Sequence, residues 1–142
     1  PLVADFGLVK WLDDDGDLSV TGAPIGTKYY MSPEQTLARR EEYTAACDVW
    51  AIGVTLYELL TGTRPFSAPD DQELFRKIRR AEFPPLPPAV PSGLAAVVRK
   101  CLQKAPCDRY PSAAAVAADL ENWAERATES VAEPVSRRHP SR

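Results

Sequence analysis

The sequence predicts a mainly α-helical fold, and two features carry that prediction. The first is segment 47–60, which is apolar on nearly every side and is interrupted only by Asp48, Thr55 and Glu58. A helix that is apolar all round belongs inside a protein. The second is a set of segments, 70–80, 92–102 and 112–123, whose apolar residues recur at spacings of three and four. We therefore expect a buried central helix with amphipathic helices packed on it.

The ends of the predicted helices have recognisable capping residues. Thr44 can accept a hydrogen bond from the first free amides of the central helix, and Gly62 can adopt the left-handed conformation that ends it. Ser92 and Ser112 are the expected caps of the two later helices. Asp48 is unusual, because an acid at the start of a buried helix needs hydrogen-bond donors from another part of the fold.

Composition restricts the class of protein. The net charge of −3, with 26% charged residues, is ordinary and predicts no nucleic-acid partner. The three cysteines lack metal-ligand spacing and His139 is the only histidine, so we expect free thiols, a reducing cytoplasmic location and no zinc site. No run of about 20 apolar residues is present, so a membrane is expected only through a span outside this chain. The chain begins at Pro1, and we expect an incomplete domain.

Near the start, Asp5-Phe6-Gly7 lies between two short strand candidates. Gly7 permits a sharp turn, and a carboxylate on such a turn is well placed to meet a ligand. An Asp before a Gly is also ordinary turn chemistry. The tripeptide alone therefore leaves both interpretations open.

The acidic segment 13–21 invites comparison with a calcium loop, but the pattern fails. With Gly16 at the glycine position, Trp11 would stand at the first ligand, and the closing Glu is missing. We interpret it as a solvated loop. Ser19 and Thr21 are either plain loop residues or phosphorylation sites that basic side chains could order.

Residues 32–34 form a helix start, with Ser32 as the N-cap, Pro33 in the first turn and Glu34 at the electropositive end. Capping alone would explain these three residues. It would not explain their place between an Asp-Phe-Gly upstream and the Asp that opens the central helix downstream.

Four motifs in this order resemble those of a eukaryotic-type protein kinase domain. They are the metal-binding D-F-G (5–7), the A-P-E element with Ser for Ala (32–34), the D-x-W-x-x-G helix (48–53) and the arginine that pairs with the Glu of A-P-E (Arg109). The similarity extends over residues 2–127. The amino-acid sequence of segment 26–35 is similar to that of bacterial serine/threonine kinases.

The resemblance implies which part of the fold is present. It would be the activation segment and the helical C-terminal part of the large lobe of a protein-kinase-like α+β fold, an incomplete domain spanning residues 1–127. Composition shifts to Glu, Pro, Ser and Arg after that point. Residues 128–142 are therefore predicted to be a disordered tail or linker.

The resemblance also implies a reaction, the transfer of the γ-phosphoryl group of ATP to a protein serine or threonine. Asp5 would bind Mg²⁺, with Phe6 and Gly7 shaping its turn. Gly26 and Thr27 would form the loop where the substrate residue lies, and Thr27 would bond a catalytic aspartate and lysine.

Three further residues have structural roles by the same resemblance. Glu34 and Arg109 would form a buried bidentate ion pair that ties the substrate loop to the later helices. Asp48 would accept backbone N–H groups of the catalytic loop.

The glycine-rich loop, the strand lysine, the H-R-D base and the second metal ligand are not found in these 142 residues. We expect them upstream of Pro1, so this chain alone is expected to be inactive with ATP and Mg²⁺. The alternative is a pseudokinase-like binding or scaffold module, which a degraded H-R-D segment would favour. A phospho-dependent or dimerising partner, besides ATP and the protein substrate, stays open.

Two segments have alternative interpretations. The basic residues Lys77, Arg79 and Arg80 form either a solvated face or a docking surface for a substrate or partner. The proline-rich segment 83–91 must be extended, either as a stiff connector packed on the domain or as a ligand for a polyproline-binding groove.

Overall fold

The computed structural model describes residues 26–132, which are mainly helical with no strand among them. Five α-helices lie in this range: α1 Pro33–Thr36, α2 Ala45–Thr61, α3 Asp71–Arg80, α4 Ser92–Cys101 and α5 Ala113–Ala132. Short 3₁₀ turns occur at Thr27–Tyr30, Arg40–Glu42 and Pro106–Asp108. The prediction of a mainly α fold is confirmed for this part of the chain. The strand turn predicted at residues 5–7 lies outside it.

Helix α2 is the centre of the fold, and both of its predicted caps are present. Thr44 Oγ1 accepts a hydrogen bond from the Ala46 amide at 3.2 Å. Gly62 has a left-handed φ of 76° and donates its amide to the Glu58 carbonyl at 2.8 Å. Because a side-chain N-cap stabilises a helix by about 1 kcal/mol, the sequence itself fixes where α2 begins.

Helix α2 is not buried on every side, and in this respect the prediction was wrong. Trp50 and Val54 are fully buried, but Leu59 is 76% exposed. Asp48 and Thr55 are exposed as well. Residues 48, 55 and 59 are spaced by seven and four, so they share one helix face. Apolar composition predicts burial without saying which neighbours cover each face, and no residue of 26–132 covers this one.

Two apolar clusters hold α2 from different sides. The larger joins it to α3 and α4 and contains Met31, Trp50, Val54, Tyr57, Phe66, Leu74, Phe75, Ile78, Val98 and Leu102. The smaller joins it to α4 and α5 and contains Val49, Val97, Cys101, Tyr110 and Val116. Since Val49 and Trp50 are neighbours in sequence yet belong to different clusters, α2 cannot rotate without exposing one of them.

Helices α2 and α4 cross at Gly53 with no room for a side chain. A Cβ atom on Gly53 would lie 2.5 Å from Cys101 Cβ and 3.0 Å from the Leu102 side chain. We expect Gly53→Ala to lower the free energy of unfolding by about 1–3 kcal/mol, because overpacking outweighs the roughly 1 kcal/mol that alanine gains in a helix. Urea unfolding measures this.

The matched control for Gly53 is Thr55→Ala, which introduces alanine at an exposed position of the same helix. We expect it to change the free energy of unfolding by no more than about 0.5 kcal/mol. Equal stability of the two variants would show that the crossing has room for a methyl group.

Helix α3 follows the predicted pattern, with Leu74, Phe75 and Ile78 buried. The proline-rich segment after it packs on the core. The Phe83 ring meets Tyr57 edge-on with centroids 5.9 Å apart, and the Tyr57 hydroxyl donates to the Pro84 carbonyl at 2.9 Å. These contacts favour the connector interpretation of the segment over a free polyproline ligand.

Two helix ends differ from their predictions. Pro91, and not Ser92, is the N-cap of α4, because the Pro91 carbonyl accepts the Ala95 amide at 3.0 Å and so begins the helix one residue earlier. Helix α5 starts as predicted, with Ser112 Oγ accepting the Ala115 amide at 3.1 Å. It continues to Ala132, so residues 128–132 are helical and not part of a disordered tail. No Pro or Gly lies among them to end the helix.

Candidate functional site

The loop Gly26–Tyr30, called the 26–30 loop, is held by its own side chains. Gly26 has a φ of 104°, a left-handed conformation that favours glycine, and a 3₁₀ turn follows it. The Tyr30 hydroxyl donates to Glu58 Oε2 at 2.7 Å near the end of α2. Lys28 Nζ lies 2.6 Å from Asp71 Oδ1 at the start of α3. The loop is therefore tied to both helices.

Helix α1 directly follows this loop, and its start is as predicted. Ser32 is the N-cap and Pro33 the first helical residue. The Ser32 amide donates to the Gln35 Oε1 atom at 2.9 Å, the second half of a capping box. This geometry holds Glu34 in the first turn, where its side chain is buried.

Glu34 and Arg109 form a buried bidentate ion pair, as the resemblance implies. Arg109 Nη1 lies 2.7 Å from Glu34 Oε1, and Nη2 lies 3.0 Å from Oε2. The two side chains are 3% and 0% exposed. Because charge-assisted bidentate bonds are the strongest hydrogen bonds between side chains, this pair fixes α1 against the turn before α5.

Every N–H donor of the Arg109 guanidinium is satisfied. The two bonds to Glu34 leave three donors, and these reach backbone carbonyls of Gln103 at 2.8 Å, Ala46 at 3.0 Å and Lys104 at 3.1 Å. The guanidinium also lies 4.9 Å from the centre of the Trp50 ring. Burial of a charge is tolerated only with such complete pairing. Arg109 thus connects α1, α2 and the segment between α4 and α5.

A third side chain contacts the Glu34 carboxylate, and it was not predicted from the sequence. The Cys47 thiol donates to Glu34 Oε1 at 3.3 Å, and the Ser32 hydroxyl donates to Cys47 Sγ at 3.4 Å. Burial raises the pKa of the Cys47 thiol, so it keeps the proton that it donates. The only available signal was its position one residue before Asp48.

The ionisation of Glu34 reflects two opposing effects. Burial disfavours the charged carboxylate, but the hydrogen bonds from Arg109 and the backbone, with the charge of Arg109, hold its pKa below the ordinary value. A carboxyl with a lowered pKa stabilises the fold above its unfolded pKa, and this contribution is lost as the pH falls through the folded pKa.

The remaining predicted site residues are only partly within the described range. Asp48 is exposed, and its side chain makes no hydrogen bond to residues 26–132. The Thr27 hydroxyl likewise has no partner in that range. The D-F-G motif, including the proposed ligand Asp5, and the hydroxyls of Ser19 and Thr21 lie outside the described residues. The structure therefore brings together the A-P-E glutamate, the D-x-W-x-x-G helix and Arg109, next to the 26–30 loop.

Comparison with known proteins decides the family. A family model described as the protein kinase domain matches residues 2–120. The chain belongs to the protein kinase family. Its predicted motifs fall within the matched range, and the Glu34–Arg109 pair is the link between two of them.

Three curated relatives of this kinase chain come from bacteria. It is 40% identical over 127 residues to the probable serine/threonine-protein kinase CE0033 of Corynebacterium efficiens, covering 84% of this chain and 19% of the relative. It is 42% identical over 124 residues to serine/threonine-protein kinase PknB of Mycolicibacterium smegmatis, covering 83% and 19%. For serine/threonine-protein kinase PkaA of Streptomyces coelicolor, identity is 39% over 125 residues, covering 88% and 22%. The chain thus spans about a fifth of the length of these relatives.

Two further observations concern the predictions from composition. All three cysteines are free thiols, Cys47 and Cys101 buried and Cys107 exposed, as their number and spacing predicted. Within residues 26–132, no helix has the length and apolar character needed to cross a membrane.

Proposed function

We propose that the protein containing this kinase chain transfers the γ-phosphoryl group of ATP to serine or threonine residues of proteins. The observation that carries the proposal is the five-bonded Arg109, which fixes the A-P-E glutamate, and with it the start of α1, beside the 26–30 loop. Curated relatives over most of this chain bear the name serine/threonine-protein kinase.

The proposed reaction forms a bond between the acceptor hydroxyl oxygen and the γ-phosphorus, breaks the bond from that phosphorus to the β-γ bridging oxygen, and releases ADP. The hydroxyl proton would pass to the catalytic aspartate that we expect outside this sequence. Such transfer depends mainly on positioning and on charge stabilisation. We propose that Asp5 ligates Mg²⁺, which neutralises phosphate oxygens when bound. The Gly26 and Thr27 backbone would place the acceptor segment, and the Thr27 hydroxyl would bond a catalytic aspartate and lysine outside this sequence.

The test is a phosphorylation assay of the full-length protein with radiolabelled ATP, Mg²⁺ and a protein acceptor. We expect the label to appear on serine and threonine and not on tyrosine. Nucleotide binding with no transfer to any acceptor would favour a scaffold module instead. We place the activity in the cytoplasm, in keeping with the three unpaired thiols.

Ser19 and Thr21 are proposed as phosphorylation sites of the activation segment. In active full-length protein, we expect mass spectrometry to find phosphate on both hydroxyls, because they lie in a polar segment and a phosphate there can pair with basic side chains. Ser32, which is fully buried, is the internal control and should be unmodified. An active preparation with both Ser19 and Thr21 unmodified would contradict a regulatory role.

A further inference from the structure

A pocket of about 510 Å³ lies between the α2–α3 connector and the end of α3. One wall is formed by Arg64, Pro65 and Ser67, and the other by Lys77 and residues 81–84. The buried Pro65 and half-buried Phe83 give the pocket an apolar part. The Lys77 ammonium donates to the Ser67 carbonyl at 2.9 Å, so the two walls are joined directly.

The charges around the pocket are mainly positive. Arg64 is exposed and forms no ion pair with any residue in 26–132. Lys77 also has no carboxylate partner there. Glu82 is the acidic residue of the lining. Its carboxylate oxygens lie 3.6 Å from Arg76 Nη1 and 3.6 Å from Arg80 Nη1, so these two arginines compensate its charge. Two cations are thus left to act on a bound group.

The pocket adjoins the 26–30 loop through a stacking contact. The Arg64 guanidinium lies 4.1 Å from the centre of the Tyr29 ring. Stacking on an aromatic face orients a guanidinium, and the Arg64 side chain also hydrogen-bonds the Tyr30 side chain. Arg64 is therefore shared between the wall of the pocket and the loop where the acceptor is proposed to bind.

We propose that this pocket binds an acidic segment of the protein acceptor, with its carboxylates at Arg64 and Lys77. The inference rests on the proposed function, because the acceptor must lie along the 26–30 loop for its neighbouring residues to reach the pocket. Carboxylates complement the two cations, and side-chain methylenes of the same segment fit the apolar part at Pro65 and Phe83. The pocket would thereby contribute to the choice of protein acceptor.

The test measures binding of fluorescent peptides to the full-length protein by anisotropy. One peptide carries a single threonine with flanking glutamates, and a second carries glutamines in their place. We expect the glutamate peptide to bind about tenfold more tightly at low salt, since two partly exposed ion pairs would each contribute about threefold. The preference should shrink as salt is added, because the pairs are screened.

Variants assign the preference to the pocket. We expect Arg64→Ala with Lys77→Met to remove it, and Arg64→Ala alone to reduce it, while Arg126→Ala leaves it unchanged. Arg126 is exposed on α5 and does not line the pocket. Melting temperatures establish whether the variants fold. If the double variant does not fold, Arg64→Ala alone tests the proposal. An equal preference in Arg64→Ala and Arg126→Ala, or none in the wild type, would overturn the proposal.

Binding and catalysis separate the two proposals. Transfer to threonine that does not depend on Arg64 and Lys77 would refute the proposal about the pocket and support the proposed kinase activity. Acid-selective binding that depends on both residues, without transfer, would support the pocket as a peptide-binding site and refute the proposed kinase activity. If both proposals hold, Arg64→Ala should raise KM for the glutamate peptide about threefold and leave kcat unchanged.

Discussion

Arg109→Met is expected to destabilise the kinase domain by about 3–5 kcal/mol, because the variant leaves the buried Glu34 carboxylate without its partner. The change also strands three backbone carbonyls that Arg109 satisfies, those of Gln103, Ala46 and Lys104. Equilibrium urea unfolding of the full-length protein, followed by tryptophan fluorescence, measures the loss.

Two other substitutions test whether the effect comes from the ion pair. Arg99→Met removes an exposed arginine on α4 and should change the free energy of unfolding by no more than about 0.5 kcal/mol. Arg109→Lys keeps the charge but lacks the planar fork, so it should fall between the wild type and Arg109→Met. Equal stability of the two methionine variants would contradict a structural role for Arg109.

The pH dependence of the same variant has a defined sign. In the wild type, the lowered pKa of Glu34 stabilises the fold above the ordinary carboxyl pKa, about 4.3, and this contribution is lost as acid protonates the carboxylate. Without Arg109, burial is the largest effect that remains on Glu34 and outweighs the hydrogen bonds from the backbone and Cys47, so we expect the pKa of Glu34 to rise and folding to favour its protonated form. The gap in stability between wild type and Arg109→Met should therefore be widest near neutral pH and narrow toward acid.

Asp5→Asn is expected to lower kcat/KM for phosphoryl transfer by at least about 100-fold in the full-length protein. Asparagine keeps the shape of the side chain but removes the anionic oxygen that a hard cation requires. Losses of this size are typical when one electrostatic stabiliser is removed from a reaction centre. Steady-state kinetics at saturating Mg²⁺ measures the effect.

Asp15→Asn, in the acidic segment 13–21, is the matched control for Asp5. It removes the same charge from the same part of the sequence, and we expect kcat/KM to change by less than about threefold, since the sequence predicts a solvated segment there and solvent screens such charges. Full activity of Asp5→Asn would contradict the assignment of Asp5 as the Mg²⁺ ligand and would leave the metal to residues outside this sequence.

Local chemistry made several features predictable from the sequence. The caps at Thr44, Gly62 and Ser112 depend on residues within a few positions of one another, so their identity was enough. The buried stripe of α3 follows from helical periodicity alone. The Glu34–Arg109 pair has a different origin, because these residues are 75 positions apart and only the resemblance to kinases connected them.

The features that were mispredicted or missed depend on tertiary neighbours. The exposure of Leu59 reflects which segments surround α2, and apolar composition does not carry that information. The Cys47 contact with Glu34 needs α1 and α2 to meet at a particular angle. The three carbonyls that accept the remaining hydrogen bonds of the Arg109 guanidinium are backbone groups, which leave no residue-specific signal in the sequence.

A double-mutant cycle across Glu34 and Arg109 tests most directly whether the ion pair joins the start of α1 to the helices. The free energy of unfolding would be measured for Glu34→Gln, Arg109→Met, the double variant and the wild type. We predict that the double variant is more stable than the sum of the single losses allows, by at least about 1.5 kcal/mol, because each single change strands a buried group that the other removes. If the loss of stability in the double variant equals the sum of the two single losses to within about 0.5 kcal/mol, the result would contradict a coupling between Glu34 and Arg109.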